Sequence, residues 1–208
     1  MKAILYYVHD PMCSWCWGFS RALKQLLDNL PKDIKVQRLL GGLAPDSDIP
    51  MPESMKESIK SSWSHIEDTI NGVKFNYDFW EKTIPRRSTY PACRAVIAAR
   101  KQGAEYDCKM TAAIQRAYYQ EARNPSDNST LIELAGELDL STSKFEQDLL
   151  SDDVEKEFIK EMSLSRELYA ESYPSLVLVI GDKSFTVKIN YNDSQAMKKQ
   201  ILKHLQSK

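Results

Sequence analysis

The chain predicts an α/β fold that runs strand–helix–strand, then a long helical block, then hairpin–helix, and three observations predict it. Apolar runs rich in strand-favouring residues stand near both ends, at residues 3–8, 34–40 and 176–180. From about Glu53 to Ala170 nearly all apolar residues recur at three- and four-residue steps. Between the first half and that block lies residues 43–52, with Pro45, Pro50 and Pro52, the clearest candidate linker.

The elements follow in order. Ala3, Ile4, Leu5, Tyr6, Tyr7 and Val8 make a first strand, and Phe19, Ala22, Leu23, Leu26, Leu27 and Leu30 mark one face of the helix after it. Pro31-Lys32-Asp33 breaks that helix, and residues 34–40 form a second strand closed by Gly41-Gly42. A strand–helix–strand crossover of this kind is parallel and right-handed. In the block, Met55, Ile59, Ser62, Trp63 and Ile66 mark a helix, and the aromatic patch at residues 75–80 reads as a packed loop. Pro91 suits the first position of a helix running to about Gln102 and closed by Gly103. Further helices are expected over residues 105–123, around Leu131, Leu134, Ala135 and Leu138, and from Ser141-Thr142-Ser143. The last runs to near Tyr169, with Asp152 and Glu155 as a capping-box-like start. Beyond Tyr173-Pro174-Ser175, residues 176–180 read as a buried strand, Gly181-Asp182-Lys183 as a tight turn and residues 184–188 as its partner. Asp193 or Ser194 caps a terminal helix with Met197, Ile201 and Leu205 inward. The expected organisation is one domain from residues 1–45 plus 171–208, and an inserted helical domain from 46–170.

Composition narrows the function classes. With 208 residues, 42% hydrophobic and 27% charged, the chain has ample material for a core. A net charge of −1 argues against a nucleic-acid partner, which needs clustered Lys and Arg. No apolar run approaches the ~20 residues of a membrane span. The six-residue apolar start lacks a small-residue cleavage site, so it reads as a strand rather than a leader, and the expected compartment is the cytoplasm.

The chemistry concentrates at Met12-Cys13-Ser14-Trp15-Cys16-Trp17-Gly18, preceded by His9-Asp10-Pro11. Cysteines at i and i+3 share a helix face at a separation a disulfide tolerates. Cys13 falls at the start of a helix leaving a strand, where unpaired N–H groups and the helix dipole favour negative charge. The thiolate is the form that attacks disulfides. Cys16, one turn on, is placed to resolve the resulting mixed disulfide. A zinc site would want a second such pair, and Cys93, Cys108, His9, His65 and His204 are scattered. Two inert buried cysteines are the other alternative.

Strand, Cys-x-x-Cys, helix, strand, and later X-Pro, two antiparallel strands and a helix, resembles the thioredoxin arrangement, and the large helical insertion resembles its DsbA-like branch. More closely, Asp10-Pro11-Met12-Cys13-Ser14-Trp15-Cys16-Trp17-Gly18 and Pro91-Ala92-Cys93-Arg94-Ala95 resemble FrnE-type cytoplasmic DsbA-family proteins. Those are related to kappa-class glutathione transferases and 2-hydroxychromene-2-carboxylate isomerases. The resemblance implies a thioredoxin-like fold and protein-disulfide oxidoreductase or isomerase-like activity. It makes Cys13 the nucleophile, Cys16 the resolving thiol and Pro174 a cis-proline facing them. Tyr173 would then pair with an extended substrate backbone. DsbA-like oxidases typically hold a histidine where this chain has Trp15. An indole supplies no charge to a thiolate, so Ser14 and Trp15 are expected to tune the pair toward a weaker oxidant.

The expected partners are therefore thiol- or disulfide-containing proteins or small molecules, with no cofactor or metal and glutathione as a candidate co-substrate. The rival functions are a glutathione-dependent transferase or isomerase, whose members generally carry serine at the position of Cys13, and a redox-regulated binding protein. Cys93 and Cys108 are expected to pack on apolar faces, the alternatives being a secondary exchanging thiol or a peroxide-sensing site. Arg86, Arg87 and Arg94 are read as solvated charge or as holders of a substrate carboxylate, and His9 as a structural residue or a local acid/base.

Overall fold

The structure, a computed structural model, describes residues 3–206. Strand β1 (Ala3–His9) leads into helix α1 (Ser14–Asp28) and strand β2 (Ile34–Leu40). Seven helices follow: α2 (Glu53–Thr69), α3 (Phe79–Lys82), α4 (Tyr90–Arg100), α5 (Tyr106–Tyr119), α6 (Asn128–Glu137), α7 (Thr142–Leu149) and α8 (Asp152–Glu167). Strands β3 (Ser175–Ile180) and β4 (Lys183–Val187) and helix α9 (Ser194–Gln206) complete the chain. This is the mixed α/β, thioredoxin-like fold with a helical insertion that the sequence predicts.

The sheet order is β2-β1-β3-β4, with β1 parallel to β2 and antiparallel to β3. The register sets Tyr7 beside Arg38, His9 beside Leu40 and Val8 beside Ser175, so the chain segments entering and leaving these strands meet at one end of the sheet. One face of the sheet is covered by α1 and α9, where Leu5, Leu176 and Leu178 pack with Phe19, Leu26, Met197 and Ile201. On the other face Val8, Leu39 and Val177 pack with Ala170, Leu164 and Leu168, at the end of α8 and beyond it. The helical block has its own core around Trp63, fully buried, with Phe75 stacked on it at 4.7 Å and Trp80 at 4.9 Å. The aromatic patch is thus a packed loop closed by the single turn of α3. Met12 and Leu40 join that core, so the sheet end carrying the cysteines is itself packed against the helices.

Two of the boundaries that differ from the sequence reading have a clear local reason. α8 is capped by Ser151, whose hydroxyl accepts from the Val154 N–H, one residue ahead of the expected Asp152–Glu155 start. α5 stops at Tyr119 rather than Arg123, because the chain turns through Ala122 at φ 54° and Arg123 is drawn to Glu133 and Glu137 of α6. Of the two caps considered for α9, Asp193 serves, accepting from the N–H groups of Gln195 and Ala196. Among the described residues no helix is long and apolar enough to cross a membrane.

Candidate functional site

Cys13 is the N-cap of α1, in extended conformation, with its N–H donating to the Asp10 carbonyl and its own carbonyl accepting from the Trp17 N–H. Its side chain makes no cap hydrogen bond to the helix. The Cys13 Sγ donates to the Tyr173 carbonyl oxygen at 3.4 Å, and the Tyr173–Pro174 bond is cis. Tyr173 is held in turn by its hydroxyl, which donates to the Gly41 carbonyl at 2.8 Å. A side chain at Gly41 would collide with the Tyr173 ring, so close approach requires glycine there. Cys13, Tyr173 and Pro174, 160 residues apart in the chain, are therefore brought together.

Cys13 is 6% exposed and Cys16 only 1%. The Cys13 surface that remains open lines a groove of about 370 Å³ with Ser14, Trp15, Leu43, Met55, Arg87 and Tyr173. Trp15 leans on Tyr191, ring centroids 5.1 Å apart, and on His65. Cys16 lies one turn into α1 with its thiol toward Cys13. Burial pushes the Cys16 thiol well up, the neighbouring Cys13 sulfur adds to this, and the Asp10 backbone opposes it. The inner sulfur therefore holds its proton while the outer one meets solvent through the groove. Both are free thiols.

Asp10, which in the sequence is only part of the cysteine motif, is the hub of the site. Its buried carboxylate accepts from the Met12 N–H (2.7 Å), the Leu43 N–H (2.7 Å), the Thr89 hydroxyl (2.6 Å) and the Cys93 thiol (3.5 Å). These bonds tie the loop before Cys13 to the loop after β2 and to the start of α4. Cys93 is buried as expected, but its thiol is spent on Asp10 rather than on apolar packing alone. Cys108 does not pack on an apolar face: it is exposed, because α5 buries Met110, Ile114 and Ala117 instead. Arg86 and Arg94 are half-buried and ion-paired, and neither lines the Cys13 groove. Arg86 pairs with Asp127, and Arg94 with Asp46 and Glu155. Arg87 alone of the three reaches the Cys13 groove, and it makes no ion pair or hydrogen bond among the described residues.

His9 does not line the groove. Its ring stacks on Tyr7 at 4.8 Å, and its Nε2 accepts from the Arg38 guanidinium at 3.1 Å. Arg38 also donates to Asp107, which faces Arg100, and Arg100 pairs with Glu161. Burial, then Arg38 and Arg100, drive the His9 pKa well below its usual value, so the ring is neutral. Burial raises Asp10 and Glu161 instead. The two kinds of shift act oppositely on stability. A depressed His9 leaves stability intact above its unfolded pKa of about 6.5 and removes it as pH falls, because only the unfolded chain takes the proton. A raised Asp10 stabilises most below its unfolded value of about 3.9, and that stability is lost as pH rises through its folded value. Urea unfolding between about pH 7.5 and 5.5 should show a falling stability in which His9→Gln, whose amide still accepts from Arg38, has the flatter profile. An identical slope in both proteins would remove His9 as the cause.

A thioredoxin family profile matches residues 6–200. The chain belongs to the thioredoxin family. Among solved structures of this fold, a candidate protein disulfide isomerase from Nitrosomonas europaea is 26% identical, with a TM-score of 0.85 over 99% of this chain and 98% of that one. The cytosolic disulfide reductase DsbM from Pseudomonas aeruginosa is 22% identical, TM-score 0.75, over 97% and 98% of the two chains. That protein has also been solved with GSH, at a TM-score of 0.73 to this chain. The ClpXP adapter protein SpxH of Bacillus subtilis is 22% identical over 83% of this chain. The thioredoxin-family chain spans about half, 56%, of that curated relative. The sequence offers Arg87 as a holder of a substrate carboxylate only together with Arg86 and Arg94, and carries no local signal for Leu43 and Met55 as groove residues.

Proposed function

We propose that this protein is a thiol–disulfide oxidoreductase working through the Cys13–Cys16 couple, and that it runs in the direction of disulfide reduction. The observation that carries the reading is the Cys13 sulfur at the tip of α1, 3.4 Å from the Tyr173 carbonyl beside Pro174 and open to a groove. In the reaction the Cys13 thiolate attacks one sulfur of a substrate disulfide, and the other sulfur leaves as a thiolate that takes up a proton. Cys16 then gives up its proton and attacks Cys13, closing the Cys13–Cys16 disulfide and releasing the second substrate thiol. Two equivalents of an external thiol return the pair to the dithiol. An extended substrate segment would lie along Tyr173 and Pro174, as a strand adds to an exposed edge. Arg87, a groove cation with no ion pair among the described residues, suits a carboxylate-bearing thiol, and glutathione is the proposed co-substrate. The structure of DsbM with GSH supports that choice, and the reducing cytoplasm is the matching compartment.

Dithiothreitol-driven reduction of insulin tests the activity, and equilibration with glutathione buffers tests its direction. Turnover well above the dithiothreitol background is expected, with a potential nearer the ~−270 mV of thioredoxin than the ~−120 mV of DsbA. A strongly oxidising potential would reverse the proposed direction. Turnover of a chromene or chloronitrobenzene substrate with glutathione that survives Cys16→Ser would assign the transferase class instead. The SpxH relative favours a second reading, a binding adapter whose dithiol reports oxidation, and absence of both activities would leave that one standing.

A further inference from the structure

A second cavity reaches the cysteine pair from behind. It holds about 330 Å³ between α1, α5 and the β1–β2 edge, and shares no lining residue with the Cys13 groove. Cys16 and Tyr7 line it from α1 and β1, and the exposed Cys108 lines it from α5. Two of its polar groups are unused. Gln115 is only 5% exposed, and its amide has no hydrogen-bond partner among the described residues. Arg38 spends its Nε and Nη2 on Asp107, His9 and Thr111, which leaves Nη1 without a partner among the described residues. Lys24 and Asp28, also lining the cavity, neutralise each other at 2.6 Å. A largely enclosed amide without a protein partner, beside a guanidinium with a spare N–H, offers a polar pair to a ligand that enters the cavity.

We propose that this cavity is a second thiol site, at which Cys108 forms a mixed disulfide with a low-molecular-weight thiol that carries amide and carboxylate groups. The Cys108 thiolate attacks one sulfur of the corresponding small disulfide, forming the new S–S bond. The other half departs as a thiolate and is protonated by solvent, so the small disulfide supplies the oxidising equivalent. The body of the adduct lies in the cavity, with a carboxylate on Arg38 and an amide on Gln115. This goes beyond the Cys13 reading and does not depend on it.

The test compares glutathione disulfide with uncharged 2-hydroxyethyl disulfide. Adducts at Cys108 are mapped by mass spectrometry, and each rate is normalised to the same chain unfolded in urea, which removes intrinsic reagent reactivity. The folded protein is expected to favour glutathione disulfide by about tenfold, the equivalent of one charge-assisted hydrogen bond. Gln115→Leu should lower that preference, and Gln115→Glu should lower it further by repelling a carboxylate. Both variants must keep the wild-type thermal midpoint to be scored, and the wild-type comparison decides alone if either fails to fold. Equal preference in the folded and unfolded chains overturns the site, as does a preference untouched in a folded Gln115 variant. Insulin reduction by the same samples reports on Cys13 separately, so the two readings fail independently.

Discussion

Cys13→Ser is expected to reduce insulin no faster than dithiothreitol alone, a loss of at least about 100-fold, because a serine hydroxyl at neutral pH is not a nucleophile toward sulfur. Cys16→Ser should fail differently. Its Cys13 still attacks, but no inner thiol remains to displace the substrate, so a mixed disulfide accumulates and runs as a heavier band on non-reducing gels. The asymmetry follows from the geometry: Cys13 meets solvent through the groove, whereas Cys16 is 1% exposed and burial holds its proton on. Trapping by Cys13→Ser with release by Cys16→Ser would exchange the two roles and sink the assignment.

Asp10→Ala is expected to cost about 3–5 kcal/mol, the largest stability effect at the site, because three strong donors lose their acceptor in a buried place. The Met12 N–H, the Leu43 N–H and the Thr89 hydroxyl all end on that carboxylate within 2.7 Å. Against a total stability of roughly 5–15 kcal/mol the thermal midpoint should drop by about 10 °C. Insulin reduction should fall too, since Met12 and Leu43 flank Cys13 in the groove. Cys93→Ala removes only one long thiol contact of 3.5 Å to the same carboxylate and should cost about 1 kcal/mol plus a small cavity term. Thermal unfolding of the two variants side by side checks the order, and equal losses would mean that packing around α4, not the carboxylate, holds this corner.

Much of the fold is legible in the sequence because it is written in local periods. Alternation and apolar runs marked β1, β2 and β3, and three- and four-residue steps marked the helices to within a few residues. Ends were read less well, since caps and turns depend on single side chains such as Ser151 and on a left-handed residue at Ala122. The Cys13–Cys16 spacing was legible for the same local reason: both cysteines sit on one turn. The partners of that pair were not. Nothing near Asp10 in the chain announces that Thr89 and Cys93, 79 and 83 residues away, will share its carboxylate.

The sequence by itself determined which stretches become strands and helices and where a dithiol lies at a helix start, because those depend on neighbours one to four residues apart. Only the tertiary structure decided which charges are used and which are left over. Arg86, Arg87 and Arg94 look alike in the chain, but Arg86 and Arg94 are neutralised by Asp127, Asp46 and Glu155, while Arg87 lines the Cys13 groove with no ion pair among the described residues. Cys108 and Gln115 likewise acquire meaning only when α5 folds across the edge of β2 and closes a cavity behind Cys16. Pairing of this kind is set by contacts across many tens of residues, and a charge or thiol carries no mark in the sequence of what folding will bring beside it.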